Sequence, residues 1–366
     1  MRRREFLART AGGLGAGLAL SVFGEGLAWA KSDMAQCMVP WKSSTPMVSW
    51  PAKKPPYKIA LSNSYIGNTW RTEMVQIAKA YTEQADVKPL IKEFKVSSSG
   101  NDVNAQIAQI NQMILGGMDA IVLDAATPTG LNSVIDQAVN AGVLVVSFDN
   151  VVTTKKAITV NEDQYAMGKQ WAEFLVKHLD GKGHVLMVRG VAGTFVDQER
   201  TRGGMDVFKK HPGIKTTQVY GNWDDGTAQK VTANALASTP DINGVWCQGG
   251  DTGVVRAFQQ ADKKIPPIGG EAENGFRKLA AKLKFPMLSI GQSPTLVALS
   301  IKVALAMLQG EKVPRAISAP LPTATTATLK AGYNYFPDQP DSFFTPINIE
   351  PCGLTFDVEQ VLKQKV

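Results

Sequence analysis

Histidine and cysteine are scarce in this chain, with three of each among 366 residues. No CxxC and no HExxH occurs, so a metal site or a histidine-centred catalytic site has little to be built from. No strand-like run ends in GxGxxG, the turn that brings backbone amides up to the phosphates of a dinucleotide. No cofactor is therefore expected. Dense basic clusters are missing as well; lysines come in short pairs such as Lys53-Lys54 and Lys155-Lys156. A nucleic-acid-binding protein would concentrate such charge on one face. Beyond the first thirty residues, no apolar run is long enough to span a bilayer.

What is present is the composition of a soluble globular protein, 44% apolar and 19% charged. The length allows one large domain or two ordinary ones. Residues 1–30 stand apart: arginines, a weakly apolar glycine-rich stretch from Ala11 to Gly24, then Ala28-Trp29-Ala30. That order reads as a cleaved signal peptide. Arg3-Arg4-Glu5-Phe6-Leu7 resembles the twin-arginine export signal of bacteria, with general secretion the alternative route. Four arginines and two glutamates in this segment account for two of the seven formal positive charges, which leaves +5 on the remainder. Cys247 lies in the apolar run GVWCQ and reads as a buried small hydrophobe. Cys37 and Cys352 lie near the two ends, where an oxidising compartment would permit a disulfide between them.

Residues 31–56, with five prolines, read as an extended lead-in. Strand-like runs then alternate with helical stretches: YKIALS, PLIKEFKV, DAIVLDA, VLVVSFDN, AITVN, GHVLMVRG, TTQVYG, GVWCQG, PPIGG and PMLSIGQ. In VNAQIAQINQMILGG, Val103, Ile107, Ile110 and Ile114 share a helical face, and Gly116-Gly117 provides the stop. Such alternation predicts an α/β fold with parallel sheets covered on both faces. The runs fall into two sets, which predicts two doubly wound domains joined by a multi-strand hinge: 57–152 plus 293–322, and 153–292 plus 323–366. Ligands of such sheets bind beyond the carboxyl ends of the strands, here in an interdomain cleft.

The residues just past each strand form a consistent set. The first domain offers Asn63, Tyr65, Asn68 and Trp70, then Asp124, then Asp149 and Asn150. The second offers Arg200, with Arg202 nearby, then Trp223, Gln248 and Asp251, Glu271 and Gln292. Amides, carboxylates and guanidinium groups bond the paired hydroxyls of a sugar or polyol, and indole and phenol faces suit its C–H face. Asp224-Asp225 and Asn101-Asp102 read instead as helix caps. The turn after the first strand has one glycine, Gly67, and is suited to a neutral polyhydroxylated ligand rather than a phosphate.

Together with AGVLVVSFDN, RTRGGMDVF, GVWCQGGDTGVVRAFQQAD and SIGQSP, this constellation resembles the type I periplasmic sugar-binding proteins of the ribose/galactose group, over nearly all of residues 57–330. The resemblance implies that Asp149 holds sugar hydroxyls and that Arg200, Trp223 and Gln292 take the family's arginine, aromatic and glutamine positions. Glu271 stands where the family has an aspartate, one methylene shorter. Asp251 is the nearest match to the family's asparagine. Ribose binders usually have arginine where this chain has Asn150, so ribose itself is not implied. The implied function is capture of a monosaccharide or polyol in the periplasm by a monomer that closes on its hinge and docks on ABC transporter membrane subunits. Presentation of the ligand to a chemoreceptor or sensor kinase is an alternative. A carbohydrate-active enzyme built on Asp149 and Glu271 is a weaker one, and a transcriptional regulator would need an N-terminal helix-turn-helix that residues 1–56 do not contain.

Overall fold

The computed structural model describes residues 36–239 and 241–366; the signal peptide read above lies outside them. A short strand β1 (Met47–Val48) precedes the first α/β domain. That domain is built on β2 (Tyr57–Asn63), β3 (Ile91–Ser98), β4 (Ala120–Asp124), β5 (Leu144–Phe148) and β6 (Ile158–Asn161). The second uses β7 (Gly183–Arg189), β8 (Ile214–Tyr220), β9 (Ile242–Cys247), β10 (Ile268–Gly270) and β11 (Met287–Ile290). Three short strands follow: β12 (Val313–Pro314), which pairs with β1, then β13 (Ala316–Ser318) and β14 (Thr323–Thr325). The sheet orders are β3-β2-β4-β5-β6-β13 and β8-β7-β9-β10-β11-β14. Every pairing in them is parallel except β11 with β14. Both halves thus repeat one doubly wound order, whose direction reverses between β2 and β4 and between β7 and β9.

The apolar runs form these strands because both sheet faces are covered. All five residues of β4 and of β5 are buried. The helix 296–308 is apolar on every side and buried along its whole length. It fills the first domain's core against β5 and the helix 69–82. Its single charge, Lys302, is satisfied by donating to the Cys352 carbonyl (2.5 Å). In the second domain Trp171 and Trp246 pack edge to face with centroids 5.6 Å apart. Glycines let the helices 164–178 and 195–208 touch: a Cβ on Gly168 would lie 2.0 Å from the Arg200 carbonyl oxygen. That close approach seats Arg200.

Two expected boundaries differ from the structure. The run AITVN reads from sequence as part of the second set, yet β6 pairs with β5 in the first sheet, and the chain crosses only at residues 162–163. A buried β-branched strand has the same sequence character in either sheet, and its partner is chosen by long-range packing. The tail 323–366 reads from sequence as belonging wholly to the second domain. β14 does join that sheet, but Ile347, Ile349, Leu354 and Val361 are buried in the first domain's core. The chain therefore passes between domains at 162–163, 291–295, 319–322 and again near 344–347. Cys37 and Cys352 are bridged, with Cα atoms 4.4 Å apart, which ties the tail to the lead-in.

Candidate functional site

The ends of β2, β4 and β5 bring Asn63, Asp124 and Asp149 into one row, Asn63 standing directly opposite Asp124 in the register. Two carboxylates on neighbouring strand ends require a counter-charge. Arg71, in the first turn of the helix 69–82, supplies it from a fully buried position. Its guanidinium donates to Asn63 Oδ1 (2.6 Å), pairs with Asp124 and reaches Asp149 Oδ2 at 3.3 Å. The ring of Tyr65 covers it with the centroid 4.9 Å away. Asn68 caps the helix, accepting from the Arg71 amide (2.9 Å), and donates to the Tyr65 hydroxyl. Burial raises the Asp124 carboxyl well above its ordinary range; Arg71 opposes this and Asp149 adds to it.

Across the cleft, Arg200 is also fully buried. It donates to Gln164 Oε1 (2.8 Å) and to the Gln248 carbonyl (3.0 Å), and pairs with Glu271 and Gln292. Burial pushes the Glu271 carboxyl up, while Arg200 holds it down. Gln292 lies on the 291–295 crossing and joins the halves: its side-chain Nε2 donates to Asp149 and its side-chain Oε1 accepts from Arg200. The Trp70 indole donates to the Gln292 carbonyl (3.0 Å), and the Val196 amide to Asn150 Oδ1 (3.1 Å). These bonds join the two halves around the pocket.

Between them lies a narrow pocket of about 20 Å³, part of it open to solvent. Seven of the residues expected from sequence line it: Asn68, Trp70, Asp149, Arg200, Trp223, Glu271 and Gln292. Trp223 stands in the left-handed backbone region (φ 56°), its indole N–H buried and without a partner in the protein. The ring lies against Gly190, where a Cβ would come within 2.1 Å of it. Asn63, Tyr65, Asp124 and Asn150 stand behind the lining and hold Arg71 or Asp149. Asp251 is a correction: it is fully buried beneath Glu271, accepts from the Glu271 amide (3.1 Å), and is not part of the lining. As the first residue of the helix 251–260 it points into the domain. Arg202 lies on the surface, paired with Glu199. Gln248 turns away to Asp197 and Thr201.

Sequence reasoning did not single out Arg71, Val196, Gly249 or Phe344. Arg71 had a signal, since Asp124 and Asp149 end adjacent strands and need a cation. Phe344 had none, because its position depends on the course of the tail. Among the described residues, no group of three or more His, Cys, Asp or Glu could hold a metal ion.

Residues 59–312 match the family described as periplasmic binding protein domain, and the chain belongs to that family. It is 26% identical to the ribose import binding protein of Bacillus subtilis, over 74% of this chain and 88% of that protein. It is 31% identical to the D-ribose/D-allose-binding protein of Pseudomonas aeruginosa, over 56% of this chain and 67% of that protein. The crystal structure of an ABC transporter solute binding protein from Thermobispora bispora superposes with a TM-score of 0.69 at 31% identity, covering 73% of this chain and 84% of that one. The class is one of binding proteins, not enzymes.

Proposed function

We propose that this protein captures a monosaccharide or related polyol in the periplasm and, as a monomer, delivers it to an ABC importer by closing on its hinge. The observation that carries this reading is the pocket itself. It places Trp70 and Trp223 around Asp149, Arg200, Glu271 and Gln292, donors and acceptors that suit paired hydroxyls. Both arginines are already engaged by carboxylates, so the pocket has no free cation to offer a phosphate or a sugar acid. Relatives named for ribose, D-allose and xylitol support the same ligand class. The leader read from residues 1–30 supports export.

A thermal-shift screen of residues 31–366 against monosaccharides, sugar acids, polyols and nucleosides tests this. A ligand at a hundred times its Kd adds about 2.7 kcal/mol, a shift of a few degrees. The expected result is a shift with neutral sugars or polyols that is lost in a folded Asp149→Ala variant. A shift confined to sugar acids or nucleosides, or unaltered binding by Asp149→Ala, would overturn the reading.

A further inference from the structure

The family match ends at residue 312, yet the tail reaches the pocket. Its first part lies on the second domain. Asn274 donates to the carbonyls of Phe336 (2.8 Å) and Pro340 (3.0 Å), and Asp341 pairs with Lys278 (2.8 Å) and Arg256 (2.8 Å). Its last part lies on the first domain, with Cys352 bridged to Cys37 and Gln76 donating to the Gln364 carbonyl (3.0 Å). The passage between them is held from both sides. The Phe344 amide donates to Glu73 of the first domain (2.9 Å). The Thr345 amide donates to the Ala272 carbonyl of the second (3.0 Å), and Arg277 donates to Thr345 Oγ1 (2.7 Å). Ser293, on the 291–295 crossing, donates to the Pro346 carbonyl (2.7 Å), so the tail runs beside the hinge. Phe344 itself is 5% exposed and lines the pocket with Trp70 and Trp223.

We propose that the tail is a fourth connection between the domains and that Phe344 is a ligand-binding residue carried on it, an aromatic wall that limits ligand size on the hinge side. This rests on the sugar-binding reading above. A backbone segment bonded to both domains moves with the hinge, so the ring is in contact with ligand only in the closed state. Ligand closure and tail position are therefore coupled. The benzyl group meets the C–H face of the ligand, which an aliphatic side chain matches less well.

The test is calorimetric titration of D-ribose, D-allose and xylitol into the wild type, Phe344→Leu, Phe344→Ala and Asp149→Ala, with melting midpoints of each ligand-free protein. For whichever probe binds the wild type, Phe344→Ala is expected to weaken affinity about tenfold or more, Phe344→Leu by less, and Asp149→Ala to abolish binding. Phe344→Leu decides the matter if Phe344→Ala does not fold. Wild-type affinity in the Phe344 variants, with binding lost in Asp149→Ala, would overturn the role of the tail and leave the cleft reading standing. Unchanged binding by Asp149→Ala, or no neutral sugar or polyol of the thermal-shift panel bound by the wild type, would bring down the cleft reading and this proposal with it.

Discussion

Replacing Arg200 by methionine is the most direct test of how the second domain's half of the pocket is held. The guanidinium is fully buried and has four partners: Gln164, the Gln248 carbonyl, Glu271 and Gln292. Methionine has similar reach but no charge, and it strands the Glu271 carboxylate at 5% exposure. Removing one member of a buried ion pair costs about 3–5 kcal/mol. At about 2–4 °C per kcal/mol, the midpoint should fall by roughly 6–20 °C. Adding Glu271→Gln removes the stranded charge and should restore about 1–3 kcal/mol, a coupling typical of residues in contact. The assay is urea unfolding of the wild type, both single variants and the double variant, comparing midpoints at a common slope. The pH dependence gives a second reading. Without Arg200, the influence that holds the Glu271 carboxyl down is gone and burial raises it further above 4.5. A carboxyl with a raised folded pKa favours the native state most at low pH and disfavours it as pH rises. The Arg200→Met deficit should therefore be smaller near pH 5 than at pH 8. A loss under about 1 kcal/mol, or additivity of the two substitutions within about 0.5 kcal/mol, would refute the reasoning.

Arg202→Ala is the matching control: its exposed pairing with Glu199 should leave stability within about 0.5 kcal/mol and ligand titrations unchanged. Replacing both Cys37 and Cys352 by serine opens a bridge between residues 315 apart in sequence and should lower stability by roughly 2–5 kcal/mol, read in melts with and without reductant. If reductant shifts the wild-type midpoint by nothing, the tail is held by its packing alone. Glu162, just past β6, accepts from the Ser293 amide through one oxygen while the other has no hydrogen-bond partner. Burial first, and Asp149 second, raise its carboxyl well above 4.5. Glu162→Gln should thus match the wild type near pH 4.5 and become the more stable protein as pH rises, by about 1.4 kcal/mol for each tenfold change in proton affinity. A difference that does not vary with pH would rule out a buried titrating carboxyl.

The repeating units were legible because the signals that mark them are local. All ten strand-like runs singled out overlap a strand of the structure; the central ones, such as β4 and β5, stand out because a strand buried on both faces is a run of β-branched and apolar residues, and the edge strands β3 and β8 through their alternating pattern. The strand-end rule also placed Asp149, Arg200, Trp223, Glu271 and Gln292 at the pocket, because a doubly wound sheet aims those positions outward. What sequence did not carry was long-range choice. β6 joins the first sheet through pairing with β5, and nothing within AITVN distinguishes that sheet from the other. Asp251 has the residue type of a ligand group, but as the first residue of its helix it turns under Glu271, so being near a strand end was not enough. Phe344 is 52 residues beyond Gln292 and reaches the pocket only because the tail recrosses between domains.

Asp149 and Trp223 show how the scaffold places two residues of the pocket lining. Each follows a strand or its turn, and each has a positive φ, 54° and 56°. A non-glycine residue there costs of order 1–3 kcal/mol, and a bulky indole is a poor choice for the left-handed region on backbone grounds alone. Glycine or asparagine would relieve either turn. The surroundings fix both conformations regardless. Asn161 donates to the Asp149 carbonyl (2.9 Å), and Ala125 donates to the Asn150 carbonyl (3.0 Å). On the other side, the amides of Gly221 and Asn222 both donate to the Arg189 carbonyl, at 2.8 and 3.2 Å, while Gly190 leaves room for the ring. Strain is therefore held where the side chains must leave the line of the strand and face the cleft, and it is offset by hydrogen bonds within each domain. Because those bonds do not cross the cleft, hinge opening leaves them intact. On the hinge-closure reading proposed above, the aspartate and the indole would stay aimed as the domains part, and closure would have only to bring two finished half-sites together.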